Sequence, residues 1–164
     1  NTNKKNLAIF SPLHSNNKIQ NYRLKKDIFI TMTSGNIINT VISKNIGGFE
    51  SDFFIDHVDH YFCLKAQLSG YKLVFGSAIL NHNLGEVKKW FGYSFISHSP
   101  LRFYYFVRNG LYTQKEYPVF RFYFVKRLSI EMVKLLLFEG KFTITLKMVY
   151  RSFIDYRKGK KGKY

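Results

Sequence analysis

Strand-like and helix-like segments alternate through the first hundred residues, and this alternation limits the fold more than any other feature of the chain. "NLAIF" reads as a short buried strand, Leu7 to Phe10, ending at Pro12. Asp27 to Met32 reads as a second strand, stopped by Thr33-Ser34-Gly35. Residues 36–46 suit a short helix or an extended segment before a Gly47-Gly48 turn. The pattern predicts a helix from Asp56 to Leu68, closed by Gly70, because glycine takes the left-handed conformation just past a helix end at little cost. Tyr71–Gly76 and Ala78–His82 are strand-like again. An α/β layer arrangement follows.

The character changes after His98, which divides the chain into a 1–98 part and a 99–164 part. The second part is aromatic, basic and apolar over much of a helical surface. It carries 15 Lys and Arg against 4 Asp and Glu, net +11, out of +16 for the whole chain. Lys126, Arg127, Glu131 and Lys134 interrupt every apolar window of about 20 residues, so no transmembrane span is expected there. The final "RKGKKGKY" reads as a solvated basic tail. Such a charge balance calls for an anionic partner: nucleic acid, a nucleotide-linked substrate or an anionic membrane face. A single cysteine excludes an internal disulfide framework and fits a reducing compartment. The start, "NTNKKNLAIF", has neither an apolar signal region nor an initiating Met, and residues upstream of it are expected.

Against this background the acids are oddly placed. Four of the chain's 10 acidic residues, Glu50, Asp52, Asp56 and Asp59, fall within residues 50–59, and no Lys or Arg lies between Lys44 and Lys65. On a helical wheel Asp56, Asp59, His60, Cys63 and Gln67 share one side, with Val58, Tyr61, Phe62 and Leu68 across from them. An ordinary solvated helix start explains this pattern as well as chemistry does, since acids suit the positive end of a helix dipole. Asp56, Asp59 and His60 have spacing compatible with a metal site, but no second ligand cluster supports one. A carboxylate acting as general base near a phosphate-rich substrate is the better functional reading. His57 and His60 read as polar-face residues rather than ligands.

Six short motifs occur in order: Thr33-Ser34-Gly35; Gly47-Gly48-Phe49-Glu50; Phe54-Ile55-Asp56-His57-Val58-Asp59; Gly70-Tyr71-Lys72; His82-Asn83-Leu84-Gly85; and His98-Ser99-Pro100 through Arg108-Asn109. Together they resemble the C-terminal half of bacterial family 2 glycosyltransferases, above all rhamnosyltransferases that build O-antigen or capsule chains. The resemblance covers roughly residues 7 to 160. Tyr61 and Lys65 stand where such sequences often have Glu and Arg. No D-x-D motif precedes residue 33, so the nucleotide-binding half of a GT-A fold is expected to precede this chain.

The resemblance implies a partial GT-A fold followed by basic aromatic helices, and inverting transfer of a sugar. The implied donor is a dTDP-sugar carrying rhamnose, and the implied acceptor is a lipid-linked glycan in cell-surface polysaccharide synthesis. It implies Asp59 as catalytic base, with Asp56 on acceptor or sugar hydroxyls. It also implies a Ser34-Gly35-Asn36 turn at the sugar or acceptor, and His82 as a ligand to Mg²⁺ or Mn²⁺ on the diphosphate. Arg102 and Arg108 are candidate diphosphate or acceptor contacts, although an aromatic core with flanking cations accounts for them equally. A lipid-linked acceptor makes an anionic membrane surface the expected partner of the 99–164 part, placing the protein at the cytoplasmic, inner face of the cell membrane. The competing class is a basic nucleic-acid-binding module, since cations interleaved with aromatics suit a phosphate backbone and stacked bases. No recognised nucleic-acid motif appears, so none is expected as partner. A non-catalytic remnant of a disrupted transferase gene is the third reading.

Overall fold

The computed structural model describes residues 6–15, 22–25, 28–81, 87–90, 93–96, 98–138 and 142–164. The chain forms two compact units: residues 1–51 with 58–83, and residues 52–57 with 84–164. The α/β expectation holds at this level, with a small mixed sheet and a majority of helix.

In the first unit, β1 (Leu7–Ser15) is the centre of a three-stranded sheet. It pairs antiparallel with β4 (Ile37–Ile38), through Ile9↔Ile38, and parallel with β5 (Lys72–Asn81), from Leu7↔Lys72 to Ser15↔Asn81. The expected end of β1 at Pro12 is overturned, for the strand continues to Ser15. Proline has no N–H for a ladder. Here the register jumps from Ser11↔Phe75 to Leu13↔Ile79, so β5 bulges opposite Pro12 and pairing resumes beyond it. Gly76 lies in that bulge, and a Cβ there would sit 2.6 Å from the Phe10 ring. A second pair, β2 (Tyr22–Lys25) with β3 (Ile28–Ile30), is antiparallel.

The stretch after the Thr-Ser-Gly turn resolves into β4 and a short helix, α1 (Thr40–Asn45). Asn39 caps α1 by accepting from the amides of Val41 and Ile42 at 3.1 and 3.2 Å. The next helix, α2, spans Val58–Leu68, and Gly70 at φ +86° lets the Tyr71 amide return to the Ala66 carbonyl. Its burial departs from the expected wheel. Cys63 is buried, and Leu68, expected on the apolar side, is exposed. Gln67 turns inward because β3 needs a partner. Its amide donates to the Phe29 carbonyl at 2.6 Å and accepts from the Phe29 amide at 3.0 Å, completing both backbone groups as a neighbouring strand would.

The second unit contains the hairpin β6 (Val87–Trp90) and β7 (Tyr93–Ile96) and three helices: α3 (Pro100–Glu116), α4 (Arg121–Phe138) and α5 (Phe142–Arg157). Ser99 caps α3 by accepting from the Arg102 amide at 3.2 Å, and Pro100 occupies the first turn, where its missing N–H costs nothing. The core of this unit is largely aromatic: Phe53, Tyr104, Tyr105, Phe120 and Phe124 are all buried. Gly110 is required by closeness, because a methyl group there would overlap the Phe124 ring.

Candidate active site

The turn at Thr33–Asn36 is built from beneath by a chain of polar groups. His14, buried in β1, donates from Nε2 to the Ser34 carbonyl at 2.6 Å, which leaves Nδ1 to accept from the Thr31 hydroxyl at 3.2 Å. The Thr31 hydroxyl oxygen can then accept from Ser11 at 3.0 Å. Gly35 takes φ +72°, and a side chain there would press on Leu80 at 3.0 Å and Pro12 at 3.1 Å. Nothing in the sequence pattern marks His14 as the anchor of this turn.

Asn36 and Thr33 from that turn, Asp59 from the first turn of α2, and Cys63 one helical turn on line a shallow surface cleft with no interior room for a water molecule. Ile9, Ile38, Phe49 and Phe62 form its apolar walls, with the Phe49 and Phe62 rings stacked at 4.3 Å. Asp59 Oδ1 accepts from the His60 amide at 2.9 Å. Asn36 Oδ1 is buried and has no hydrogen-bond partner among the described residues. Burial pushes the Cys63 thiol up to about 12, with the nearby Asp59 charge adding to it against the Thr31 carbonyl contact. Cys63 is therefore a wall and not a nucleophile.

The acid cluster is less bare than its sequence surroundings suggest. Arg102 grips Asp56 through Nε and Nη2, at 3.1 to 3.3 Å, and Lys161 stands 3.7 Å from Asp52. The cations come from far along the chain, so the gap between Lys44 and Lys65 does not isolate these acids. Asp59 has no cation partner among the described residues.

The helix expected from Asp56 starts two residues later, which removes the shared face of Asp56 and Asp59. Phe54, Asp56 and His57 are all left-handed, at φ 63°, 61° and 63°, although none is glycine. This loop belongs to the second unit and is held by α3. The buried Asn109 amide nitrogen donates to the carbonyls of Phe53 at 2.8 Å and Ile55 at 2.7 Å, with that of Asp56 at 3.2 Å. His57, expected on a polar face, is buried instead against Phe106, Phe120 and Phe124.

Arg108, proposed from sequence as a substrate contact, is 0% exposed. Its guanidinium lies over the Tyr104 and Tyr105 rings at 5.2 and 5.1 Å, and its donors go to Asn109 Oδ1, the Tyr104 hydroxyl and the Asp52 carbonyl. Tyr104 in turn donates to Asp155 at 2.9 Å. Burial opposes ionisation of Asp155, but hydrogen bonds from Tyr104 and Arg151 and the charges of Arg151 and Lys160 outweigh it and hold the carboxyl below its ordinary 3.8. Burial, then the neighbouring Arg102 charge, lowers the His98 imidazole below its usual range.

The basic tail is exposed to solvent, as expected, but its backbone is tied down. Gly159 and Gly162 take positive φ and turn it back, so that the Gly162 amide donates to the Asp52 carbonyl at 2.7 Å and the Tyr164 amide to the Tyr105 hydroxyl at 2.6 Å. Lys163 lies over the Phe54 ring at 5.6 Å. These contacts tie the tail to the loop at 52–56.

Ser34, Gly35, Asn36 and Asp59 thus belong to the first unit, and Asp56, Arg102 and Arg108 to the second. His82 lies outside the described residues. Among the described residues no group of three or more His, Cys, Asp and Glu side chains could hold a metal ion, so they offer no donor set for the expected Mg²⁺ or Mn²⁺. No protein-family model, curated protein or solved structure matches this chain.

Proposed function

We propose that this chain is the acceptor-side part of an inverting glycosyltransferase of the family 2 type, on the C-terminal half of a GT-A fold, with Asp59 as its base. One observation carries the reading. Residues of three of the six motifs, Thr33, Phe49 and Asp59, line one cleft, where an acid with no cation partner among the described residues stands with a buried, unsatisfied amide oxygen. Two acceptors that line one cleft call for donors, and neighbouring hydroxyls of a sugar can give one hydrogen to each.

In this reading an acceptor hydroxyl enters the cleft, and Asp59 takes its proton as the oxygen attacks the anomeric carbon. The bond from that carbon to the nucleoside diphosphate breaks, the electron pair leaves with the diphosphate, and the configuration inverts. A positioned carboxylate contributes about 10²–10⁴-fold to such a step. The donor is proposed as a dTDP-sugar, with rhamnose transferred to a lipid-linked glycan at the cytoplasmic face of the membrane. A nucleotide-binding half accompanies this chain in the working enzyme. The Mg²⁺ or Mn²⁺ ion stays part of the proposal, with His82 as the ligand from this chain, and proton transfer at Asp59 does not depend on it. Asn36 orients the hydroxyl. The Arg102–Asp56 pair opens toward substrate only by exchanging one anionic partner for another.

The test is Asp59→Asn in the full transferase, following transfer to a lipid-linked acceptor and donor binding separately. Transfer should fall by about 10²-fold or more with donor affinity unchanged. A variant keeping more than about a tenth of the rate would show that another group takes the proton.

A further inference from the structure

α4 carries apolar residues on its exposed side as well as its buried one. Its inward side buries Phe124, Leu135 and an acid, Glu131, which is bridged by Lys134 at 2.8 Å and Arg127 at 3.3 Å. Its outward side is apolar. At about 100° per residue, Phe122, Val125, Val133, Leu136 and Leu137 form one stripe, interrupted by Lys126 and Ser129. Phe122 is 80% exposed, Leu136 62% and Leu137 60%. An isolated exposed Leu needs no explanation, but a stripe along the length of a helix does.

The same unit has a second such face. On α5, Leu146, Tyr150 and Phe153, with Thr143 and Lys147, line an open groove of about 540 Å³. Tyr150 is 68% exposed. No helix among the described residues is long and apolar enough to cross a membrane.

We infer that the outward faces of α4 and α5 seat this unit in the headgroup and acyl boundary of an anionic bilayer, with both helices lying in the plane of the membrane. Charge decides between the occupants of such a face. Residues 101–164 carry net +11, so a second copy of this chain would bring like charge against like, whereas an anionic lipid surface complements it. The arrangement of cations agrees. Lys126 lies within the α4 stripe and Lys147 at the edge of the α5 groove, where a long aliphatic stem can lie along acyl chains while the ammonium reaches the phosphates. An apolar face with basic residues on and beside it is the form an interfacial helix takes.

The experiment uses vesicles of phosphatidylcholine alone or with phosphatidylglycerol, and no sugar donor or acceptor, so its outcome is independent of the transferase reading. The chain should sediment with the anionic vesicles at low salt and lose most of that binding in high salt or with neutral vesicles. Val133→Ser with Leu136→Ser lies on the exposed stripe and should weaken vesicle binding at least tenfold, with the urea unfolding midpoint unchanged. Three results would overturn the inference. The chain could stay in the supernatant with anionic vesicles, the double variant could bind as tightly as the parent, or sedimentation velocity could show a dimer that the same variant dissolves.

Discussion

Asn109→Ala tests the account of the left-handed loop most directly. The wild-type amide spends its hydrogens on the carbonyls of Phe53 and Ile55, and its oxygen accepts from Arg108 Nε at 3.1 Å. Each such bond contributes about 1 kcal/mol net, and a buried group left unpaired costs about 1–3 kcal/mol. Arg108 Nε is enclosed and would be left unpaired, whereas the Phe53 carbonyl keeps the Ile55 amide as a donor and Ile55 is exposed enough for water to replace the lost one, so these two lose about 1 kcal/mol each. The sum is about 3–5 kcal/mol. Against it stands the conformation being held: three non-glycine residues in the left-handed region, each at a cost of about 1–2 kcal/mol. The two quantities nearly cancel, so the variant should release the loop before it unfolds the unit. Because the released loop recovers its strain, urea unfolding followed by helical circular dichroism should show a loss of only about 1–2 kcal/mol. Hydrogen exchange should lose protection at the Ile55 amide, which donates to Phe53 at 2.7 Å, while α3 keeps its own. Asn109→Asp keeps the acceptor for Arg108 but not the donor, and should cost at least as much. A loss below about 1 kcal/mol with unchanged exchange at residues 54–57 would refute the reasoning and mean that the loop holds its own shape.

Two further outcomes follow from the site. With its thiol pushed up to about 12 and its side chain enclosed, Cys63 should resist a thiol-specific reagent at pH 8 in the folded protein and react fully in denaturant; fast labelling of the native chain would contradict its burial. Asp155 has a carboxyl held below its ordinary 3.8, so the stability it contributes is complete above that value and is lost as pH falls through the lowered one. The stability gap between the parent and Asp155→Asn should therefore be narrower at pH 3 than at pH 7, and an equal gap at both would remove Asp155 from the linkage.

The sequence carried the elements that depend on local pattern. The helix end at Gly70, the strand character of β5 and the helices after His98 were all legible, because turn residues and apolar spacing act over a few positions. Features decided by distant partners were not. Pro12 ended β1 on paper because the bulge that tolerates it lies in β5, more than 60 residues on. Gln67 sat on a polar wheel face because its partner is backbone, and backbone leaves no mark in sequence. The acids looked bare because Arg102 and Lys161 are remote in the chain. The turn at Thr33-Ser34-Gly35 was legible from its residues, while His14, Asn109 and the apolar outward face of α4 were not. An apolar residue reads the same whether it faces a core or the outside.

The assignment of residues 52–57 to the second unit bears on synthesis. This segment leaves the ribosome about fifty residues before Asn109, whose side chain holds it, and over a hundred before Gly162, which accepts its place beside Asp52. At about 5–20 residues per second, the wait for Asn109 is roughly 3–10 s. During that time β1 and β5 can pair, whereas three residues with no native partner have no reason to turn left-handed. The loop must therefore form last, after α3 has been made, and its final lock must wait for the last residues of the tail. A translation product stopped between Asn83 and Asn109 contains the whole first unit and an acid-rich connection without a settled shape.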